Sequence, residues 1–165
     1  MYLRYAFALT LAMMALGGTA HAVMESVQPS ESLVRREHRP LDEDRCPPST
    51  IVSLPITITG NTGSSSHDYD LTCVTSYTGD DIYALSLSCR TQVTVSLCGS
   101  GYDTAVEVLH GVNYFDCPGS QVLACNDDYC GLQSQVSFFA EIGEFYFIIV
   151  SGYEFSFGPY TMTVT

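Results

Sequence analysis

The chain has 165 residues, 46% of them hydrophobic, with six basic side chains against eighteen acidic ones and a formal net charge of −12. All six basic residues are arginine, and from Cys46 onward Arg90 is the sole one. A surface this acidic repels phosphate groups and anionic lipid, which excludes nucleic-acid binding.

The first 22 residues have the form of a cleavable export signal. Arg4 supplies a positive start, Tyr5 to Leu16 an apolar run, Gly17-Gly18-Thr19 a break, and Ala20-His21-Ala22 a small-x-small cleavage site. The run is too short to span a bilayer comfortably, and neither a stop-transfer cluster nor a lipidation cysteine follows it. Cleavage after Ala22 is expected to release a chain without a membrane span; a retained N-terminal anchor is the alternative. Loss of Arg4 leaves five basic residues against eighteen acidic ones, a net charge of −13. Residues 23–45 are polar and hold two prolines and four of those five arginines. Such a segment cannot bury enough apolar surface to offset its ordering entropy, so a flexible charged leader is expected.

From Cys46 to Thr165 the pattern is all-β, with apolar and polar residues alternating between turn signals. Ile51 to Thr59 reads as a first strand, interrupted by Pro55 as an edge or bulge allows. Gly60 to Asp70 reads as a loop. Tyr83, Leu85 and Leu87 share one face of the next strand, and Val93, Val95 and Leu97 share one face of another. Cys89-Arg90-Thr91 between them reads as a hairpin-like connection. Further strands are expected at Ala105–Leu109, Gln121–Ala124, Gln135–Phe139, Phe145–Val150 and Tyr160–Val164. Phe145 to Val150 is apolar at every position, which predicts a central strand covered on both faces. The 120 residues after the leader suffice for one domain with its own core.

All seven cysteines follow the signal, and in an oxidising compartment that density implies disulfides. Zinc is the competing use of Cys125-x4-Cys130, but no C-x2-C or H-x3-H partner accompanies it. Connectivity is not fixed by sequence. The most local scheme joins Cys125 to Cys130, Cys98 to Cys117 and Cys46 to Cys73, and leaves Cys89 as a buried thiol or an intermolecular bridge.

Three groups of residues carry a family resemblance over Cys46 to Thr165. The first is Asp80-Asp81-Ile82-Tyr83, followed by Leu97-Cys98-Gly99-Ser100-Gly101-Tyr102-Asp103-Thr104. The second is Ala124-Cys125-Asn126-Asp127-Asp128 with Cys130-Gly131 and Ser134. The third runs from Gly143 through Tyr146-Phe147-Ile148-Ile149-Val150 and Gly152-Tyr153 to Gly158-Pro159-Tyr160-Thr161. In order and spacing these segments make the chain resemble the bacterial pre-peptidase C-terminal domain, in its cysteine-rich secreted variety. The resemblance implies a jelly-roll-like antiparallel β-sandwich stabilised by disulfides. It also implies an accessory domain of exported proteases that aids secretion, stability or attachment. Relatives in collagenases bind collagen and can take calcium. No catalytic domain is expected before Cys46, so an accessory role would call for an enzyme on a separate chain.

Calcium is the sharpest chemical expectation. Asp103, Asn126, Asp127 and Asp128 offer the oxygen donors that a hard cation takes, provided their two loops converge; turn formation by the same side chains is the plainer use. Tyr102, Tyr129 and Tyr153 are candidate ligand-contacting aromatics among the tyrosines placed in loops or at strand ends (Tyr69, Tyr77 and Tyr114 are the others), where rings meet sugars or peptide side chains or simply pack. Tyr83, Tyr146 and Tyr160 read as core. Catalytic arrangements are weak: Ser66-His67-Asp68 are neighbours in sequence, whereas a triad needs convergence in space, and Asp103-Thr104 lacks the second aspartate of a proton-sharing pair. The expected protein is a secreted, non-catalytic binding or adhesion module for an extracellular polymer or protein surface, with the periplasm as the other compartment. The alternative is a stabilising or secretion-assisting subunit of a separate exported enzyme.

Overall fold

The structure, a computed structural model, describes residues 46–48, 50–51 and 54–165; the expected signal and leader lie outside the described residues. In chain order the strands are β1 (Thr50–Ile51), β2 (Ile56–Asn61), β3 (Asp81–Leu85), β4 (Thr91–Ser96), β5 (Thr104–Gly111), β6 (Gln121–Asn126), β7 (Gln135–Ala140), β8 (Phe145–Gly152) and β9 (Pro159–Val164). A 3-10 turn, Thr62–Ser64, follows β2 and is capped by the Asn61 side chain, which accepts from Gly63 N–H at 2.9 Å. No helix among the described residues is long and apolar enough to cross a membrane.

The strands form a five-stranded sheet in the order β1-β3-β8-β5-β6 and a four-stranded sheet in the order β2-β9-β4-β7. The ladders are antiparallel except for the two-residue β1, which joins β3 in parallel. The result is the expected jelly-roll-like sandwich. Its main core lies between the sheets. Tyr83, Val106, Val108, Ile148 and Val150 of the larger sheet meet Val93, Val95, Phe138, Met162 and Val164 of the smaller. Each fully buried side chain of this kind contributes about 1.5–3 kcal/mol.

A second apolar cluster covers the outer face of the larger sheet, where Leu71 of the β2–β3 loop packs with Ile82, Ala84, Ala105, Phe147 and Ile149. Both faces of β8 are therefore buried, and its unbroken apolar run has this cause. The alternation on β4 also appears as expected: Val93, Val95 and Leu97 are fully buried, while Thr94 and Ser96 are half-buried.

Three expectations are corrected. Residues 86–90 do not form a hairpin, because β3 lies in the larger sheet and β4 in the smaller; the chain crosses between layers there. The strand before the crossing ends at Leu85, and Leu87 makes only an isolated bridge to Ile142. The disulfides are also not local. Cys46 is bonded to Cys117, Cys73 to Cys125 and Cys98 to Cys130, at sequence separations of 71, 52 and 32. The sandwich itself is the reason: β6 carries Cys125 to the outer cluster under the β2–β3 loop, while the β6–β7 loop returns Cys130 to the end of β4. Cys89 is the free cysteine, and it is exposed rather than buried.

Candidate functional site

Three loops meet at the end of the sandwich where β5 begins. Tyr102 and Asp103 precede β5, residues 127–134 join β6 to β7, and residues 153–158 join β8 to β9. Backbone bonds lace them together: Tyr153 N–H donates to the Asp103 carbonyl at 3.1 Å, and Thr104 N–H donates to the Leu132 carbonyl at 3.0 Å. The Gln133 amide donates to the Tyr102 carbonyl at 3.2 Å. Beneath them the buried hydroxyls of Thr104 and Ser134 pair at 2.8 Å, and the Cys98–Cys130 bridge fixes the β6–β7 loop to the smaller sheet.

This arrangement brings Asp103, Asp127 and Asp128 into electrostatic reach of one another. Partial burial, and then the neighbouring charges of Asp128 and Asp127, hold the Asp103 carboxyl above the ordinary aspartate range. Glu154, with Asp127 and Asp103 behind it, likewise raises the Tyr153 phenol. Asn126 sits at the same end, where its side-chain oxygen accepts from Gln135 N–H at 3.2 Å. The donors are all oxygen, the chemistry a hard cation takes. Still, among the described residues no three acidic, histidine or cysteine side chains gather closely enough to hold a metal. A cation at this end would draw the loops closer than they stand.

The three candidate tyrosines separate. Tyr129 is 64% exposed and Tyr153 40%, both at the rim. The Tyr102 ring turns inward. Its hydroxyl accepts from Thr62 Oγ1 and donates to the Ser151 carbonyl, both at 3.2 Å. Burial pushes its phenol up to about 12. Gly152 leaves the space this ring fills, since an added Cβ there would lie 3.1 Å from the ring and 1.8 Å from the Ser156 carbonyl oxygen. Tyr83 and Tyr160 lie in the core as expected, joined through their hydroxyls, and Tyr160 also donates to Asp81 at 2.6 Å.

Ser66, His67 and Asp68 lie in the loop over the larger sheet. His67 faces Asp80 and Asp70, each at 3.5 Å. Asp80 is 1% exposed; its Oδ2 accepts from the backbone N–H groups of Asp68 and Tyr69 at 3.0 and 3.1 Å. Its Oδ1 has no hydrogen-bond partner among the described residues. Burial raises this carboxyl to about 6, against the pull of those two N–H groups and of His67.

Two surface features were not anticipated from sequence. Tyr77 and Phe155 stack with ring centroids 5.0 Å apart and, with Phe157, line a shallow groove of about 240 Å³. The signal for it is the alternation Tyr153, Phe155, Phe157 in a segment that forms no strand. The second is a cleft where His110 pairs with Glu144 at 2.8 Å, close to Arg90, Glu141 and Phe139. His110 is half-buried within β5.

In fold, the chain is similar to the crystal structure of the pre-peptidase C-terminal domain of a collagenase from Bacillus anthracis. The TM-score is 0.51 and the sequence identity 20%, over 73% of this chain and 98% of that one. The likeness is one of fold. By sequence, no protein-family model and no curated protein matches the chain.

Proposed function

We propose that the chain is an exported, non-catalytic binding module for an extracellular polymer or protein surface. The observation that carries this reading is the gathering of Tyr129 and Tyr153 with Asp103, Asp127 and Asp128 on loops tied by the Cys98–Cys130 bridge. Exposed rings and carboxylates on a braced rim suit recognition of sugars or peptide side chains. Tyr102 braces the rim from below. Three disulfides favour an oxidising compartment, outside the cell or in the periplasm. The fold likeness to a collagenase's pre-peptidase C-terminal domain supports an accessory role. A weakly held calcium ion at Asp103, Asp127 and Asp128 belongs to the proposal, supported by the uncompensated like charge there.

Pull-down of the mature chain on insoluble polysaccharide, collagen and whole cells tests the reading. Retention on one support, lost in Tyr129→Ala and Tyr153→Ala, is expected; uniform failure to bind would overturn it. The alternative, a stabilising subunit of a separate exported enzyme, is supported by the exposed unpaired Cys89. A mixed disulfide on non-reducing gels, absent in Cys89→Ser, would favour that alternative.

A further inference from the structure

The opposite end of β5 carries a second surface, about 20–25 Å away along the eight residues of the strand. Strands β6 and β7 are the edge strands on one flank of the sandwich, one from each sheet. They are tied at the Asn126–Gln135 end. At the other end they leave a cavity of about 280 Å³, walled by His110, Gln121, Leu123, Phe139, Glu141 and Glu144.

The β6 edge is broken by a register shift against β5 at Leu123, and neither β6 nor β7 carries the side chains that usually block an edge. Gln121–Asn126 and Gln135–Ala140 contain no proline and no charged residue, which are the usual means of blocking an edge from pairing with another chain. Large apolar side chains stand out along both: Val122 is 40% exposed, Leu123 36% and Phe139 61%. The charge at the mouth has one sign, that of Glu141 and Glu144. The protein already shows which guest this chemistry takes. The Arg90 guanidinium lies 5.5 Å from the Phe139 ring centroid while its Nε meets Glu141 Oε1 at 2.9 Å. Arg90 does not line the cavity itself, and His110 Nε2 holds only one oxygen of Glu144.

We infer that this cleft binds an extended peptide segment of a partner protein that carries an arginine or lysine. The backbone lies along the β6 and β7 edges, and the cation enters beside Glu144 and the Phe139 ring. Recognition of extended chains at open sheet edges, with side-chain pockets supplying selectivity, is a general mode of binding. A body with one arginine after Cys46 also attracts cationic partners at long range.

The mature chain is titrated by calorimetry with an alternating valine–threonine octapeptide bearing one central arginine. Its counterparts carry citrulline or glutamate instead. Binding of the arginine peptide is expected, with affinity about tenfold lower for citrulline and none measurable for glutamate. Affinity should weaken as salt is raised. Glu144→Gln and Phe139→Ser should each reduce it about fivefold or more, and because Phe139 is exposed its variant should melt as the parent does. Absence of heat at millimolar peptide would overturn the inference, as would equal binding of the arginine and citrulline peptides. Self-association through β6 and β7 that the peptide does not compete away would overturn it too, by making a second copy the occupant. A chain that binds polysaccharide or collagen but not the peptide sinks this inference alone.

Discussion

Cys73 is bonded to Cys125, so the loop that covers the outer face of the larger sheet is clipped to its edge strand. The bridge closes 52 residues, a span over which a cross-link removes much denatured-state freedom. Cys73→Ser with Cys125→Ser should lose about 2–4 kcal/mol by denaturant melts. The inter-sheet core and the Cys98–Cys130 bridge are separate from it, so far-UV circular dichroism should be retained. A double variant as stable as the parent would mean that the outer cluster around Phe147 holds the loop unaided.

Asp80 makes stability depend on pH. Its folded carboxyl sits near 6, above the value of about 3.9 expected when unfolded, so the folded chain holds the proton more tightly. The resulting contribution is fully present below about pH 4 and is lost as pH rises through about 6. Asp80→Asn should remove that slope, and at pH 7 should be more stable than the parent by up to about 3 kcal/mol. Melting temperatures of both proteins between pH 4 and 7 measure the difference. Parallel profiles across that window would place the dependence in another group.

Tyr102 and Tyr129 should respond to mutation in opposite ways although both lie in loops at one rim. Tyr102→Phe leaves the fully buried Ser151 without the phenol its carbonyl bonds, at a cost of about 1–2 kcal/mol. Tyr129→Ala, at an exposed position, should stay within about 0.5 kcal/mol of the parent while losing ligand. Denaturant melts beside the pull-down separate the two. A Tyr102→Phe protein of parental stability would free that phenol for ligand contact.

Strand positions were legible in the residues because each strand's surroundings leave a pattern. Alternation at Val93, Val95 and Leu97 reports one buried face, and the unbroken run from Phe145 reports two. Assignment of strands to sheets leaves no such local trace. Nothing in Cys89-Arg90-Thr91 distinguishes a hairpin from a crossing between layers, and the disulfides follow that assignment rather than sequence proximity. The convergence of Asp103 with Asp127 and Asp128 could be anticipated, since both loops adjoin strand ends. The inward turn of Tyr102 could not, because it depends on room left by Gly152, fifty residues away. The cleft beside Phe139 is hidden for the same kind of reason: Gln121 and Phe139 belong to edges of different sheets.

The acidic rim offers the remaining test. Asp103 is held above the ordinary aspartate range in part by Asp127 and Asp128, so replacing one neighbour should relieve it. Asp128→Asn is expected to lower the Asp103 carboxyl, readable by NMR titration of its side-chain carbon. A divalent cation relieves the same repulsion in the parent. Calcium should therefore raise the melting temperature with a dissociation constant of roughly 10⁻⁴–10⁻³ M, the range of weak extracellular sites. Magnesium, which demands tighter octahedral geometry, should do less. The effect should vanish in Asp103→Asn, and neither heat nor a melting shift at millimolar calcium would remove the metal from the proposed function.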